Sequence, residues 1–311
     1  MEPVSRGGRW RRLLLVVLSI TVPWLWFVVR DMGGAADTVA VGLPIVGVAS
    51  LLSGAAAAAL SRRLWPLAAG VTILTVCAVS VVVPRLPRDL PPPDPAIRVA
   101  VANIWDENPT PEAVPESLLE RGADVIVAIE MPGDAFYDAM SSRAAAEGLD
   151  ATWEQGRQAV WSRFPLQVLD ELGLPKTRVM RVGVDVPDAP FVLYVVHGLN
   201  PFREASFADQ LAFTEALLAA VDSERRPVVV AGDFNTSDRV TSYRKLDAAL
   251  TDAMRAGAPG ATTYLLGWWP ALVLRIDHVF VTPSWCATDP RTFTAAGSDH
   301  LGIDVGVGPC T

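Results

Sequence analysis

The fold is decided by the stretch VVVAGDFNTS, residues 228–237, in which four apolar residues and a glycine lead directly into an acid, an aromatic ring and an amide. A short apolar run of this kind predicts a strand that is buried on both of its faces. Side chains two positions apart on an extended chain point to the same side. We therefore expect Asp233 and Asn235 to enter one pocket at the end of this strand.

Polar residues that suit catalysis follow or flank other apolar runs along the chain. A polar residue at a single strand end is ordinary, because strand ends meet solvent, but so many together indicate a shared site. Their types suit a hard divalent cation, an imidazole that acts as a base, and a bound phosphate. Besides Asp233 and Asn235, these residues are Asn103, Glu130, His197, Asp277, Asp299 and His300.

Strands and helices alternate irregularly from residue 97 onward. The strand pattern RVMRVGVDV leads across a turn into a second strand, FVLYVVH, whereas a long amphipathic helix separates FVLYVVH from PVVVAGD. Several predicted strands thus follow one another with no helix between them. This order predicts a mixed α/β sandwich rather than a doubly wound parallel sheet.

Seven short segments carry a resemblance to a known family. In chain order, within residues 97–307, they are VANIWDEN, DVIVAIE, AVWSRFPL, VVHGLNP, VVVAGDFNTS, RIDHVFVT and GSDHLGIDV. Their order and spacing resemble the endonuclease/exonuclease/phosphatase superfamily, which includes deoxyribonucleases, abasic-site endonucleases, inositol-polyphosphate phosphatases and neutral sphingomyelinases. The resemblance implies an α/β (α+β) four-layer sandwich, in which helices flank two mixed β-sheets and the active site lies where strand ends converge.

The resemblance also implies a divalent metal ion, Mg²⁺ or Mn²⁺. Glu130 and Asn103 match the family's metal holders, and Asp299 matches a carboxylate that lies near the metal, directly or through water. Mg²⁺ prefers oxygen ligands and keeps several of its waters, so few protein ligands are needed. The use of one metal ion or two stays open at this stage.

Five residues match catalytic positions of the family. His300 is the expected base for the attacking water, and Asp277 would hold its second ring nitrogen. Asp233 would orient that water or assist the leaving group. Asn235 would donate its amide to a phosphate oxygen, and His197 would contact phosphate or protonate the leaving group.

The N-terminal part, residues 1–83, is interpreted as a membrane anchor. Three apolar segments without a charged residue, at about residues 13–29, 39–60 and 64–83, predict three transmembrane helices. A hydrocarbon core of about 30 Å needs roughly 20 apolar residues in a helix, which each segment approaches or reaches. The first segment also fits a cleaved signal peptide, but an uncleaved span is preferred.

Basic residues predict the orientation of this anchor. Arginines precede the first segment, and Arg62 and Arg63 separate the second from the third. The positive-inside rule places both groups in the cytoplasm. The rest of the chain is then expected on the extracytoplasmic side of the cell membrane, where Cys286 and Cys310 could pair.

A proline-rich segment follows the anchor. Residues 84–96 contain six prolines. This composition predicts a stiff, extended spacer between the anchor and a catalytic domain, residues 97–311.

The charge of the globular part bears on its substrate. Residues 90–311 hold 17 of the 26 Lys and Arg residues but 30 of the 34 Asp and Glu residues, a net charge of −13. Such a surface disfavours broad binding to polyanions. A phosphate ester of nucleic acid or of a lipid headgroup is the expected substrate. An endonuclease, a sphingomyelinase-like phosphodiesterase and a non-catalytic sensing module all stay open, and no protein partner is predicted.

Two further features are assigned from the sequence. His278 alternates with Asp277 to the opposite face of its strand and is interpreted as structural. The segment LLGWWPALVL, residues 265–274, is either a core loop or an apolar lip of the site.

Overall fold

The computed structural model describes residues 28–169, 174, 178–257, 263–264 and 274–311. The chain divides into two compact units. The first unit reaches to Pro84 and also takes in Arg239–Thr241, and the second contains Arg85–Asp238 and Ser242–Thr311.

The described part of the first unit contains two apolar helices, α1 (Ala35–Ser61) and α2 (Trp65–Val82). They pack against each other at glycines: a Cβ on Gly54 would lie 2.4 Å from the carbonyl oxygen of Pro66. By length and composition both helices are long and apolar enough to cross a membrane, the second when the 3-10 turn that follows it is included. The structure thus shows two candidate spans where the sequence predicted three, and residues 13–27 of the first predicted span lie outside the described residues.

The described part of the second unit contains two six-stranded sheets. The strands are β1 Ile97–Asn103, β2 Val125–Ile129, β3 Ala151–Gln155, β4 Gln158–Ser162, β5 Leu166–Val168, β6 Val179–Val184, β7 Phe191–His197, β8 Val228–Asp233, β9 Thr251–Asp252, β10 Asp277–Val281, β11 Trp285–Thr294 and β12 Leu301–Pro309. The order of the first sheet is β11-β12-β1-β2-β4-β3, and that of the second is β5-β6-β7-β8-β10-β9. Both sheets are mixed, because β1 runs parallel to β2 and β7 runs parallel to β8, whereas the other pairs are antiparallel.

Among the described residues, four helices cover the outer faces of these sheets. Leu118 and Met140 pack on the first sheet, and Leu217 and Leu246 pack on the second. The inner faces of both sheets meet in a separate aliphatic core that includes Val127 and Val229. The helices are α3 Val114–Leu119, α4 Asp134–Ala146, α5 Phe207–Asp222 and α6 Thr241–Ala249. The predicted four-layer arrangement of two mixed sheets flanked by helices is therefore confirmed.

Residues 85–96 of the proline-rich segment are hydrogen-bonded to other parts of the second unit. The backbone N–H of Arg88 donates to the carbonyl oxygen of Arg255 at 2.7 Å, and that of Asp94 donates to Pro309 at 3.0 Å. Arg85 also forms an ion pair with Asp238. Composition predicted the extended backbone but not these partners. We call residues 85–96 the strap.

A disulfide joins Cys286 in β11 to Cys310, directly after β12. The sequence left this pairing open. Because β11 and β12 are hydrogen-bonded neighbours, the bond closes the end of the first sheet covalently.

Candidate active site

The functional side chains predicted from the sequence meet at one edge of the sandwich. Register explains the convergence: His197 pairs with Asp233 across the parallel strands β7 and β8, and Asp277 pairs with the same Asp233 across β8 and β10. In the other sheet, Asn103 ends β1 and Glu130 follows β2, which runs parallel to it.

Two glycines allow the strand ends of the second sheet to approach this closely. Gly232 has φ +146°, and a Cβ there would lie 2.1 Å from the carbonyl oxygen of Val196. A Cβ on Gly198 would lie 2.1 Å from the carbonyl oxygen of Phe234. Glycine is therefore required directly before Asp233 and directly after His197.

An imidazole–carboxylate pair forms the centre of the site. Nδ1 of His300 lies 2.8 Å from Oδ2 of Asp277. Donation from this nitrogen to the carboxylate leaves Nε2 of the neutral ring as a proton acceptor. Nε2 lies 4.0 Å from Oδ2 of Asp233 and 3.9 Å from Oδ1 of Asp299. Nε2 thus faces two further carboxylates.

Loop residues hold this pair in place. Thr263 Oγ1 accepts hydrogen bonds from the backbone N–H groups of Ile276 and Asp277, both at 3.0 Å. Ser298 Oγ accepts from the backbone N–H of His300 at 3.0 Å. The ring of Tyr264 packs on the imidazole with 4.8 Å between centroids. Sequence reasoning missed these three supporting residues. Only Ser298 gave a signal, since it directly precedes the Asp299–His300 pair.

A second ion pair lies beside the first. Nε2 of His197 is 2.9 Å from Oε1 of Glu130. Burial opposes the charge of Glu130, but the hydrogen bond and charge of His197 outweigh burial and lower the pKa of the carboxyl group. The pKa of His197 is raised, because Glu130 and Asp233 outweigh the effect of burial. Glu130 adopts φ +55°, a strained conformation for a residue with a side chain, as is common at functional sites.

The carboxylate of Asp233 accepts hydrogen bonds from both amides of the site. Nδ2 of Asn103 donates to its Oδ2 at 3.1 Å, and Nδ2 of Asn235 is 3.3 Å from the same atom. The backbone N–H of Asn235 donates to Oδ1 at 2.7 Å. Asp233 is thus fixed at the point where the two ion pairs meet.

Asn103 takes an orientation that the sequence did not predict. Its Oδ1 accepts from the backbone N–H of Trp105 at 2.9 Å, which fixes the sense of the amide. The amide nitrogen therefore faces the carboxylates, whereas a metal ligand would present its oxygen. In this conformation Asn103 orients Asp233 as a hydrogen-bond donor.

Asn235 is oriented by a neighbour outside the predicted set. Its Oδ1 accepts from Nδ2 of Asn200 at 3.2 Å. The side chain of Gln210 on α5 donates to the backbone oxygens of Leu199 and Asn235, at 3.1 and 2.7 Å. These bonds join the loop after β7 to the loop after β8. Asn200 lies within the segment VVHGLNP, three residues after His197, which was its only sequence signal.

The carboxylates dominate the electrostatics of the site. Burial and the charge of Asp277 raise the pKa of Asp233 to about 6. Burial alone would lower the pKa of His300, but Asp277, Asp233 and Asp299 raise it to about 10. Burial also raises the pKa of Asp299. A cation bound among these groups would relieve this excess of negative charge.

Two groups of side chains have the composition of a metal site. Among the described residues they are Glu130, His197 and Asp233, and Asp233, Asp277 and His300; in each group the candidate ligand atoms lie within 4.8 Å of one another. Oδ1 of Asp277 is buried without a hydrogen-bond partner in the described structure, so a lone pair stays available. Carboxylate oxygens with imidazole nitrogen fit a divalent cation such as Mg²⁺ or Mn²⁺. Asp299, a predicted metal residue, belongs to neither group.

His278 lies outside the site, in agreement with its structural interpretation. It is fully buried, its Nε2 is 2.8 Å from the carbonyl oxygen of Thr236, and its ring packs against Phe234 and Tyr243. Burial lowers its pKa to about 4, so the ring is neutral. The segment 265–274 lies outside the described residues except for Leu274.

Comparison with known proteins agrees with this geometry. Residues 100–300 match the profile of the Endonuclease/Exonuclease/phosphatase family. No curated protein matches the chain.

Solved structures show the same fold at low sequence identity. An endonuclease/exonuclease/phosphatase from Beutenbergia cavernae is 22% identical with a TM-score of 0.51, over 69% of this chain and 72% of that one. An AP endonuclease from Archaeoglobus fulgidus is 16% identical with a TM-score of 0.54, over 67% and 98%. Sphingomyelinase C from Streptomyces griseocarneus is 15% identical with a TM-score of 0.52, over 68% and 99%.

Proposed function

Because this chain belongs to the endonuclease/exonuclease/phosphatase family, we propose that it is a divalent-metal-dependent phosphoesterase. We propose further that it is anchored in the membrane and acts outside the cytoplasm. The observation that carries the reaction class is the Asp277–His300 pair, whose free ring nitrogen faces Asp233 and Asp299. This arrangement supports a role for His300 as a general base beside a carboxylate cluster suited to a cation and a phosphate.

In the proposed reaction, water attacks phosphorus and an ester P–O bond breaks. Nε2 of His300 takes the proton of the water, while Asp277 accepts the Nδ1 hydrogen bond and stabilises the imidazolium that forms. Asp233 orients the water. The amide nitrogen of Asn235 can exchange its 3.3 Å contact with the Gly198 carbonyl oxygen for a non-bridging phosphate oxygen as charge builds there.

His197 is the proposed acid for the leaving oxygen. Its raised pKa favours the protonated ring, and Glu130 holds the ring by the 2.9 Å contact. The pair thus supplies a proton where the ester oxygen leaves, while His300 receives one from the water. Solvent exchange restores both rings.

The candidate metal ligands are Glu130 and Asp233, with Asp299 nearby. A bound Mg²⁺ or Mn²⁺ would polarise the phosphate and offset the carboxylate charge that raises the pKa of His300. Asp233 belongs to both candidate metal groups. The side-chain amides of Asn103 and Asn235 orient it by hydrogen bonds to its Oδ2, so neutral donors hold this carboxylate in place.

For the substrate, we propose a phosphodiester with few charges, such as a lipid headgroup, in preference to a polynucleotide. A long polyanion would be repelled by the net charge of −13 on residues 90–311. A membrane anchor favours substrates at the bilayer. Cleavage of plasmid DNA or RNA in preference to lipid would assign the enzyme to the endonucleases instead.

The substrate proposal is tested with the full chain in detergent. Sphingomyelin, glycerophospholipids, inositol phosphates, plasmid DNA and RNA are assayed side by side with Mg²⁺ or Mn²⁺, and again with chelator. We expect metal-dependent cleavage of a lipid headgroup. No cleavage of any phosphate ester with either metal would refute the proposed function.

The extracytoplasmic placement is supported by the disulfide between Cys286 and Cys310, because disulfides persist in oxidising compartments. The two apolar helices are compatible with an anchor. A reporter fused after Thr311 tests this placement. Activity of a periplasmic-type reporter is expected, and activity only of a cytoplasmic reporter would overturn the orientation.

A further inference from the structure

A buried carboxylate lies directly behind the catalytic loops. Asp238 follows Asn235 by three residues and is fully buried. Its Oδ2 lies 2.5 Å from Nε of Arg85 in the strap and 3.6 Å from Nε of Arg275. Arg275 precedes Asp277 by two residues. One carboxylate therefore connects the strap to the two segments that carry Asn235 and Asp277.

Arg275 connects Asp238 to a second buried carboxylate, Asp252. Arg275 is fully buried, and its Nη2 lies 2.8 Å from Oδ2 of Asp252 and from the hydroxyl group of Tyr243. Burial disfavours its charge, but Asp252, Tyr243 and Asp238 outweigh burial and raise its pKa. Arg85 thus binds a fully buried carboxylate that also faces Arg275. Removing a partner from a buried charge is strongly unfavourable.

Other contacts hold the strap independently of this cluster. Arg88 Nη2 donates to Oδ2 of Asp247 at 2.8 Å, and Nε of Arg255 donates to the carbonyl oxygen of Leu86 at 2.8 Å. Nη1 of Arg255 also lies 3.1 Å from Oδ2 of Asp247. The strap therefore stays attached when the Arg85 contact alone is removed, and Asp247 keeps a partner when Arg88 is removed.

We propose that Arg85 is a positioning residue of the active site: it acts through Asp238 and Arg275 to fix the loop that carries Asn235 and the strand start that carries Asp277. The activity part of this proposal rests on the proposed function. It also places the start of the functional catalytic unit at Arg85, twelve residues before the boundary at residue 97 that the sequence predicted.

The proposal is tested by substitution in the full chain in detergent. For Arg85→Ala we expect kcat to fall about 10- to 100-fold with KM within about twofold, because small displacements of catalytic groups carry costs of this size. Arg85→Lys keeps the charge and should recover most of the loss. The matched control is Arg88→Ala, which removes an ion pair from the same strap and should leave kcat within about twofold of wild type.

Hydrogen exchange supplies a readout that does not depend on activity. We expect Arg85→Ala to speed the exchange of backbone amides in residues 234–238 and 275–278, and Arg88→Ala to leave them unchanged. If Arg85→Ala is not recovered folded, Arg85→Gln and Arg85→Lys replace it. We then expect kcat and the protection of these amides from exchange to decrease from wild type to Arg85→Lys to Arg85→Gln.

The outcomes separate this proposal from the proposed function. A wild-type chain that cleaves no phosphate ester refutes the function, and the exchange data then decide the role of Arg85. Unchanged exchange in the two segments overturns the proposal, and so does an Arg85→Ala kcat within twofold of wild type. Equal losses of kcat in Arg85→Ala and Arg88→Ala would also overturn it, because they would indicate general support by the strap.

Discussion

Replacement of Asp277 by asparagine tests the catalytic geometry most specifically among single substitutions. The change removes the charge that faces Nδ1 of His300 at 2.8 Å and keeps the size of the side chain. The side chain of Asp277 contacts the imidazole of the proposed base, His300. We therefore expect the substitution to lower kcat and to change KM little.

The size of the effect follows from the charge that is lost. At about 4 Å between charge centres and an effective dielectric constant of about 20, the carboxylate stabilises the imidazolium by about 4 kcal/mol. This energy is about three pKa units, in keeping with the pKa of about 10 that Asp277 and its neighbours give His300. Imidazolium forms as the base takes the proton, so most of this energy is lost from the transition state. We expect kcat to fall about 10²- to 10³-fold.

The assay is steady-state hydrolysis of bis(p-nitrophenyl) phosphate with saturating Mn²⁺, together with thermal melting to show that the variant is folded. Asp304→Asn is the matched control. It removes the same charge from a similarly buried carboxylate in β12, whose partner is Arg98. The control should lower the melting temperature and leave kcat within about threefold of wild type. A folded Asp277→Asn variant with kcat within about fivefold of wild type would refute the reasoning.

Three further predictions follow from the contacts of the site and of the first sheet. Asn200→Ala removes one neutral hydrogen bond, worth about 1 kcal/mol, from the amide of Asn235. The substitution should lower kcat about fivefold in the same assay. An unchanged kcat would show that the loop after β7 does not orient the Asn235 amide. In chelator, the wild-type free energy of unfolding should fall as pH rises from about 6.5 to 10, because folded His300 keeps its proton to about pH 10 while an unfolded histidine loses it near pH 6.5. The same free energy, measured by chemical unfolding of Asp277→Asn, should depend less on pH. Parallel pH profiles of the two proteins would argue against the Asp277–His300 pair. Joint replacement of Cys286 and Cys310 by serine should lower the free energy of unfolding by about 3 kcal/mol, because the disulfide closes a loop and restricts the unfolded chain. The replacement should leave kcat unchanged. Thiol titration of the unfolded wild-type chain should find one free cysteine, whereas three free cysteines would show that the disulfide is absent.

The fold was predictable because its signals are local. Apolar runs that end in polar residues, such as the one before Asp233, specify buried strands whose ends form a site. The consecutive strands β6 and β7 indicate a mixed sheet. The resemblance then supplied the pairing of the two sheets, which strand patterns alone do not determine. The structure shows two apolar N-terminal helices where composition predicted three, with most of the first predicted span outside the described residues.

Some parts of the site depend on contacts between residues far apart in the sequence. Residues 84–96 were predicted as a stiff, extended spacer. Proline content reports backbone stiffness but not the partner of Arg85, which lies 153 residues away. Asn103 was predicted as a metal holder. The sequence did not reveal that its oxygen accepts from the backbone N–H of Trp105, nor that its nitrogen donates to Asp233. Thr263 supports Asp277 from a loop without a pattern. Such details follow from tertiary hydrogen bonding and could not be derived from local sequence.

The central claim is that the converged residues form a metal-dependent phosphoesterase with His300 as the base. The most direct measurement compares the rate of bis(p-nitrophenyl) phosphate hydrolysis by the wild-type chain and by His300→Ala, each at saturating Mn²⁺ and again in chelator. The account predicts a wild-type rate that chelator abolishes and that His300→Ala lowers at least about 10²-fold. A wild-type rate that chelator leaves unchanged, or a folded His300→Ala variant as active as wild type, would contradict it.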